Sequence, residues 1–364
     1  MDKRTLSFTY RISRWAYAKC VRLTARRLFC FKKSKSPIVF FAGAKSGSSG
    51  GAAVKVSRLK KKFTESNINF NIVYSLSNSV FLDSHSISNI KSKKIPFIHN
   101  QNGVFYPAWF EGDYKKMNLK MGVAYHLADY VFWQSRFCKV SANEYLGRRE
   151  GAGEILYNAV DIKKFKPKAG SKNSPFKFLV SGKLDKHVLY RVQRVVEAFF
   201  IIERENPNVE LCIAGTLGRE HARPIYDQFH QKGISKKLQI IGSYAQNTAE
   251  NIYQKANAFV ILKHNDPCPN TVIEAMACGL PIVYSNTGGI PELVGPNAGI
   301  PLDCDGAFDS ISIPGLDSVA DGMRLVIEHG TKMGLKAREK AIEDFNLEHW
   351  LNRHQQIFGQ YLKL

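Results

Sequence analysis

Apolar residues in this chain come mainly in short continuous runs, separated by longer stretches with helical spacing. Such runs are typical of strands buried on both faces of a parallel sheet. The first half contains five of them, at residues 38–42, 69–76, 95–99, 130–134 and 154–160. The second half contains five more, at residues 176–180, 209–214, 238–241, 258–262 and 282–284. Helical segments between the runs predict βα units, and right-handed crossovers then give parallel, doubly wound sheets.

The domain organisation follows from length and from one break in composition. A chain of 364 residues suits two domains with separate hydrophobic cores. Residues 168–175 are rich in Lys, Ser, Gly and Pro and indicate a linker. We therefore expect a basic segment at 1–35, a first α/β domain at 36–167 and a second at 168–345. The remaining tail, at about 346–364, predicts a helix with an apolar stripe.

Charge and cysteine usage narrow the protein class. The formal net charge is +21, with 52 Lys and Arg against 31 Asp and Glu, so an anionic surface or ligand is expected. No apolar run is long enough to predict a membrane span. The seven cysteines stand singly, without the paired spacing of a zinc site or a disulfide framework, and favour a reducing compartment.

The segment 1–35 differs in composition from the rest. Lys and Arg alternate there with Leu, Phe, Tyr and Trp, a pattern that favours an amphipathic helix at the headgroup region of an anionic membrane. It lacks the apolar core and cleavage site of a signal peptide. The alternative is a partly disordered extension or a helix that covers the first domain. Nucleic acid is not expected as a partner, because no recognition motif is present.

Residues 258–285 carry the most informative pattern, a strand, a polar loop, a short helix and a second strand. Loop and helix start lie at the carboxyl end of a strand, where open α/β sheets bind ligands. The first amides of this helix, at Thr271, Val272 and Ile273, would attract a phosphate. Asp266 and Glu274 flank the junction with seven residues between them and could accept hydrogen bonds from sugar hydroxyls. Alternatively, Thr271 and Glu274 form a capping box, and Asp266 is a solvated loop acid.

Three other places carry candidate chemistry at strand ends. A glycine-rich loop at 43–51 would let a ligand approach the backbone, although it matches no phosphate-binding signature. His99 ends a predicted strand, where a lone His is more often a hydrogen-bonded structural residue. Lys183 follows another strand, with solvated basic residues at a helix start as the alternative interpretation.

Residues 265–294 resemble the signature of retaining GT-B glycosyltransferases of family 4. The two acids seven residues apart are followed by Glu274-Ala275-Met276-Ala277-Cys278-Gly279-Leu280-Pro281 and by a G-G-x-x-E loop at residues 288–292. The family usually has Glu where this chain has Asp266. Residues 156–167 are similar to the family's hinge segment. The resemblance implies two Rossmann-like, doubly wound domains facing across a cleft, with the C-terminal helix crossing back onto the first domain.

The resemblance also implies roles for single residues. Glu274 would bind the nucleotide ribose, Asp266 the donor sugar, and His99 would contact and align the reacting sugar. Lys183 stands where the family has Arg, and it would bind the donor diphosphate together with a second cation, either Lys186 or Arg191. The remaining donor contacts implied in this way are at Gly50, Gly51, Gly215, Asn270, Thr271 and Val272.

The implied activity is transfer of a sugar, with retention, from a UDP- or GDP-sugar to an acceptor hydroxyl. No metal or cofactor is expected, because the nucleotide sugar is a co-substrate and a positive cleft replaces a divalent ion. The acceptor suits a lipid-linked or surface glycan in capsule or lipopolysaccharide assembly, at the cytoplasmic face of the cell membrane. A nucleotide-sugar 2-epimerase with the same fold, or a non-catalytic basic protein that binds membrane surfaces, are the alternatives.

Overall fold

The computed structural model describes residues 3–26, 36–47, 50–168, 175–184 and 188–363. The chain divides into two compact units, each built on its own parallel sheet. The first unit takes the chain up to Leu156 and adds His349–Leu364, whereas the second spans Tyr157–Glu348. Residues 157–167, which resemble the hinge segment, therefore lie with the second unit. Most of the predicted linker is outside the described residues.

The first unit has a six-stranded sheet. Its strands are β1 (Ile38–Phe40), β2 (Thr64–Glu65), β3 (Ile72–Leu76), β4 (Phe97–Gln101), β5 (Tyr130–Trp133) and β6 (Gly153–Ile155). Its helices are α1 (Lys3–Arg26), α2 (Gly51–Leu59), α3 (Ser84–Ser92), α4 (Tyr114–Leu127) and α5 (Arg136–Leu146). The strand order is β2-β1-β3-β4-β5-β6, all parallel. Two-residue β2 was not predicted, and β6 is shorter than the apolar run that predicted it.

The second unit repeats this plan. Its strands are β7 (Phe176–Lys183), β8 (Val209–Thr216), β9 (Leu238–Ile241), β10 (Ala258–Ile261), β11 (Ile282–Ser285) and β12 (Gly299–Leu302). Its helices are α6 (Tyr190–Glu205), α7 (Arg219–Gln231), α8 (Glu250–Tyr253), α9 (Asn270–Ala277), α10 (Ile290–Val294) and α11 (Leu316–Asp344). The order is β12-β11-β10-β7-β8-β9, again all parallel. Edge strand β12 was not predicted.

Both faces of the second sheet are buried, as the continuous apolar runs predict. Leu179 of β7 and Phe259 of β10 pack in one core with the apolar residues of α9. Phe178 and Val260, one position away on the same strands, pack in a second core with α6. Side chains that alternate along a strand point to opposite faces, so helices cover both sides. The predicted doubly wound α/β architecture is confirmed.

The last helix, α12 (Leu347–Leu362), packs within the first unit. Phe358 contacts Phe63, with 4.8 Å between the ring centroids. Nε2 of the buried His354 ring forms a hydrogen bond with the Tyr74 hydroxyl at 3.0 Å. The other ring nitrogen of His354 lies 2.9 Å from the Trp350 carbonyl oxygen. The apolar stripe predicted in the tail is therefore the face that this unit buries.

The N-terminal segment forms helix α1 over residues 3–26, and residues 27–35 lie outside the described part of the chain. Its Val21 and Ala25 side chains are buried, and the helix packs against α3. Among the described residues, no helix combines the length and the apolar character that crossing a bilayer requires.

Candidate active site

The polar residues of the second unit gather where its strand order reverses. β10 pairs directly with β7, yet the chain leaves β7 toward β8 on one side and leaves β10 toward β11 on the other. The loops after β7 and β10 therefore open away from each other at the carboxyl edge, which is where doubly wound sheets bind ligands. Lys183 ends β7, and the loop after β10 leads into α9.

Glu274 lies in the second turn of α9, where its side chain is only 3% exposed. Its carboxylate accepts hydrogen bonds from the Gln246 amide at 2.6 Å and from the Tyr253 hydroxyl at 3.1 Å. The cap position of α9 is Pro269, and no side chain caps the helix. The capping-box alternative is therefore wrong, because Thr271 lies inside the helix and Glu274 is held by residues from other elements.

The donors to Glu274 belong to a larger buried network. The Ser181 and Tyr244 hydroxyls lie 2.5 Å apart, and Tyr244 also interacts with Tyr253. Burial raises the pKa of the Tyr253 hydroxyl far above its usual value, and the Glu274 charge raises that pKa further. Tyr253 consequently keeps its proton and acts as a hydrogen-bond donor. The network joins the end of β7 to the carboxylate in α9.

Asp266 sits in the loop between β10 and α9. One carboxylate oxygen accepts the Cys268 backbone N–H at 2.9 Å, and the other forms an ion pair with Lys263. The backbone carbonyl of Asp266 accepts the Gly289 N–H at 2.9 Å. Asp266 is thus fixed in place by its own loop and by the G-G-x-x-E segment, rather than being a freely solvated acid.

The glycines of that segment allow the close approach. A β-carbon on Gly288, whose φ is +69°, would lie 2.7 Å from the backbone nitrogen and oxygen of Asp266. Asn265 adopts a positive φ of 47° and donates its side-chain amide to the Gly306 carbonyl at 2.7 Å. A non-glycine residue in this conformation is uncommon and marks a backbone that its surroundings hold in place.

The start of α9 offers donors and one unused acceptor. The Val272 N–H already donates to the Pro269 carbonyl at 3.1 Å, so the expectation that this amide is available for a phosphate is wrong. Asn270 and Thr271, the first two residues of the helix, stay candidates. The Asn270 side-chain oxygen is buried and has no hydrogen-bond partner among the described residues. A polar ligand that donates a hydrogen bond would satisfy this buried acceptor.

The cations expected at the diphosphate differ in their settings. Lys183 is exposed at the end of β7. Arg191 is half-buried near the start of α6, with its guanidinium 5.6 Å from the Tyr190 ring centroid. Lys186 lies outside the described residues. The second cation at the donor diphosphate, either Lys186 or Arg191, stays a prediction.

Gly215, a predicted donor contact, has a clear role in the fold. It pairs with Gly182 between β7 and β8, and a β-carbon there would come within 2.0 Å of the Gly182 carbonyl oxygen. Its φ of +134° also disfavours any other residue. The glycine therefore lets the two strand ends come together beneath the Lys183 position.

Gly50 and Gly51 lie in the first unit, at the reversal point of that sheet between β1 and β3. Gly50 precedes α2 with a φ of +82°, and Gly51 is the first residue of the helix. Both are exposed. Their placement follows the same rule that locates the second unit's loops.

His99 also lies in the first unit, and β4 continues two residues beyond it, so it does not end the strand. The ring is 1% exposed. Nδ1 lies 2.7 Å from the Ser75 hydroxyl and Nε2 lies 3.0 Å from the Gln101 side-chain oxygen. Burial lowers the pKa of His99 to about 4, so the ring is neutral. These contacts are those of the hydrogen-bonded structural histidine that the sequence offered as the alternative, while a role toward the sugar stays a prediction.

Sequence reasoning missed Gln246, Tyr253 and Lys263. Gln246 follows β9 by five residues, so its position after a strand was a usable signal. Lys263 directly follows β10 and its apolar continuation, three residues before Asp266. Tyr253 lies within α8 and gave no such signal, since a Tyr in an amphipathic helix is ordinarily a core residue.

Comparisons with known proteins find sequence similarity mainly in the second unit. Residues 161–312 match the family model described as Glycosyl transferases group 1. That range includes all the candidate residues of the second unit. An uncharacterized glycosyltransferase from Methanocaldococcus jannaschii is 30% identical over 94 residues, which are 26% of this chain and 23% of that protein. A D-inositol 3-phosphate glycosyltransferase from Streptosporangium roseum is 28% identical over 164 residues, 41% of this chain and 37% of that protein. The alignments thus span less than two fifths of these relatives' lengths.

Solved structures share the two-sheet fold. A sucrose-phosphate synthase from Thermosynechococcus elongatus gives a TM-score of 0.60 at 17% identity, covering 85% of this chain and 76% of that chain. Anabaena HepE, crystallised in complex with UDP-glucose, gives a TM-score of 0.65 at 15% identity, covering 90% of this chain and 99% of that chain. At these identities the likeness establishes the fold alone.

Proposed function

We propose that the protein is a retaining, metal-independent hexosyltransferase that moves a sugar from a nucleotide-sugar donor to an acceptor hydroxyl. The match of residues 161–312 to a glycosyltransferase family supports the donor chemistry in the second unit. The relatives reported above are glycosyltransferases as well, which does not favour a 2-epimerase. Retention rests on the resemblance of residues 265–294 to the retaining signature.

The environment of Glu274 is the observation that carries the proposal. A buried carboxylate costs free energy unless other groups stabilise it, and here Gln246 from the loop after β9 and Tyr253 from α8 do so. A carboxylate held this way, near the point where the strand order reverses, can accept hydrogen bonds from the hydroxyls of the nucleotide ribose. Glu274 would thereby set the position of the donor along α9.

The leaving group would be stabilised electrostatically. Lys183 contributes positive charge, with Lys186 or Arg191 as the second cation, and the first amides of α9 contribute N–H donors. Charge stabilisation of this type usually carries a large share of catalysis. Asp266, fixed by Cys268 and Gly289, would face the donor sugar.

UDP-sugars are the first donors to test, because HepE, which shares the fold, was crystallised with UDP-glucose. GDP-sugars come second. The acceptor we propose is a lipid-linked or surface glycan, and the proposed location is the cytoplasmic face of the cell membrane. The net charge of +21 supports that location, since anionic lipids attract basic proteins.

The test begins with thermal melting of the purified protein in the presence of UDP-, GDP- and ADP-sugars. A ligand that binds only the folded protein raises the melting temperature by mass action. The donor that gives a shift is then used in turnover assays with and without EDTA, and the anomer of the product is read by NMR. We expect turnover to continue in EDTA and the donor's anomeric configuration to be kept.

Glu274→Ala should abolish both the melting shift and the turnover. The matched control is Glu328→Gln on α11, an exposed acid whose loss should change neither. A folded Glu274→Ala protein with full activity would rule the assignment out, as would the absence of any shift with every nucleotide sugar.

A further inference from the structure

One face of the first unit is covered by four helices, α1, α3, α4 and α5, here called the four-helix face. α3, α4 and α5 each connect strands that are neighbours in the sheet and that follow one another in the same direction, from β3 to β6. Right-handed crossovers place all three helices on the same side of the sheet. α1 packs on α3 and so extends this layer.

The four-helix face is strongly cationic. Among the residues of these helices whose side chains the structure describes, ten are Lys or Arg and one, Glu144, is an acid. The six helices of the second unit contain ten Lys and Arg against fourteen Asp and Glu. Of these two sets of helices, the first therefore carries a large excess of cations, whereas the second carries more acids than cations.

Helix α1 is fixed to this layer by one side. Arg26 forms an ion pair with Asp83 at 2.9 Å, and the Asn89 side-chain amide donates to the Ala25 carbonyl at 3.0 Å. Arg22 donates to the Phe81 carbonyl at 2.9 Å. Large apolar side chains on the remaining surface of α1 are exposed: Tyr10, Ile12, Trp15 and Leu23.

Exposed apolar residues also occur on α4 and α5. Leu119 is 75% exposed between the exposed Lys116 and Lys120, and Val140 is 61% exposed beside the exposed Lys139. Trp15 on α1 is 62% exposed. Cations mixed with exposed aliphatic and aromatic side chains match a lipid interface, where the cations meet headgroups and the apolar groups enter the acyl boundary. Duplex nucleic acid would contact mainly the cations and would leave exposed aliphatic side chains such as Leu119 and Val140 without a partner.

We propose that the four-helix face lies flat on an anionic phospholipid bilayer. The surface extends beyond the N-terminal segment and includes the outer sides of α4 and α5, which follow it in the same layer. Each Lys or Arg near such a surface adds attraction that salt screens, and the apolar side chains add attraction that salt does not remove. The inference holds whether or not the protein transfers sugars.

The experiment measures binding of the full chain to vesicles by co-sedimentation. One set is phosphatidylcholine alone, and the other is phosphatidylcholine mixed with phosphatidylglycerol. We expect binding only to the anionic set, weakened but still present at high salt. The triple variant Lys115→Gln, Lys116→Gln, Lys120→Gln on α4 should bind about tenfold more weakly or worse. The matched control, Lys236→Gln, Lys332→Gln, Lys336→Gln in the second unit, should bind as the wild type does.

The apolar contribution is tested separately. Leu119→Ser should weaken binding about fivefold, whereas Leu335→Ser, at a residue 63% exposed on α11, should have no effect. Melting curves confirm that each variant is folded. An α4 triple variant that binds like its control would overturn the proposal. So would binding to duplex DNA or RNA as tight as binding to anionic vesicles, with Leu119→Ser unchanged.

Discussion

The two units are built alike and differ in where their polar groups lie. Each has a six-stranded parallel sheet with one reversal of strand order. In the second unit, two carboxylates lie at that reversal and are fixed by neighbouring elements. In the first unit, the buried Lys55 ammonium donates to the side-chain oxygens of Asn100 at 2.5 Å and Asn102 at 2.9 Å. The cations of this unit's helices lie mainly on the four-helix face. The same architecture therefore carries two different sets of polar groups, because side chains rather than topology decide what a sheet edge binds.

The largest expected difference between the units is their response to acid. Burial lowers the pKa of His99 to about 4 and that of His354 to about 3, both in the first unit. In the unfolded chain these two histidines take up protons near pH 6.5, whereas in the folded protein their rings stay neutral. The free energy of unfolding therefore falls as the pH drops from about 6.5 toward 4. At pH 5 the two residues together should lower the free energy of unfolding by about 4 kcal/mol. Denaturant unfolding at pH 7 and pH 5 measures this.

His99→Gln should remove about half of that acid sensitivity, because only one of the two rings is lost. His329→Gln, at an exposed position in the second unit, serves as control. Equal pH dependence of wild type and His99→Gln would show that the first unit's histidines do not set the acid response.

The next effect concerns the backbone at the second unit's ligand edge. Gly215→Ala places a β-carbon against the Gly182 carbonyl and in an unfavourable backbone conformation, so it should destabilise the protein by about 3 kcal/mol. Gly242→Ala meets no atom within 4 Å and has no positive φ, so it should change stability little. Chemical denaturation of the two variants compares them. A small effect at Gly215 would mean that β7 and β8 can separate without cost at their ends.

A smaller effect is expected from the donors to Glu274. Tyr253→Phe removes one hydroxyl and leaves a buried carboxylate oxygen short of a donor, which costs about 1–3 kcal/mol. Since the carboxylate then turns more freely, the KM for the donor should rise more than kcat falls. Tyr226→Phe, at an exposed tyrosine of α7, is the control. Steady-state kinetics of the two variants measure KM and kcat. An unchanged KM in Tyr253→Phe would show that the Tyr253 ring contributes to core packing alone and that its hydroxyl does not position Glu274.

The smallest expected difference is between two surface ion pairs with similar geometry. Arg353 makes two bonds of 2.8 Å to Glu154 and joins α12 to β6 in the first unit. Arg324 makes two bonds of 2.9 Å to Glu205 in the second unit, at a more exposed position. Arg353→Ala should lower the free energy of unfolding by about 1 kcal/mol, and Arg324→Ala should lower it less, because solvent screens the more exposed pair. The reverse order in thermal melting would contradict a structural role for the α12 pair.

Ten of the twelve strands that the structure describes, and the parallel direction of both sheets, could be predicted from the amino-acid sequence alone. Apolar runs, Gly279 and the prolines act over a few residues, so the strand, loop, helix and strand at 258–285 could be predicted from local pattern alone. Asp266, Glu274 and Lys183 were predicted at the carboxyl edge because each follows a predicted strand. The order of the strands and its point of reversal were not predicted and come from the structure.

Which groups hold those residues in place depends on contacts between distant parts of the chain. Gln246 and Tyr253 reach Glu274 from 28 and 21 residues away, a separation that no short-range pattern encodes. Only the structure shows that the Val272 N–H donates to the Pro269 carbonyl and that β4 continues past His99. The charge of +21 was visible in the composition. The grouping of cations on one layer of helices required the helices of the first unit to lie side by side. Contacts between distant segments depend on how elements pack, and packing is a property of the whole fold.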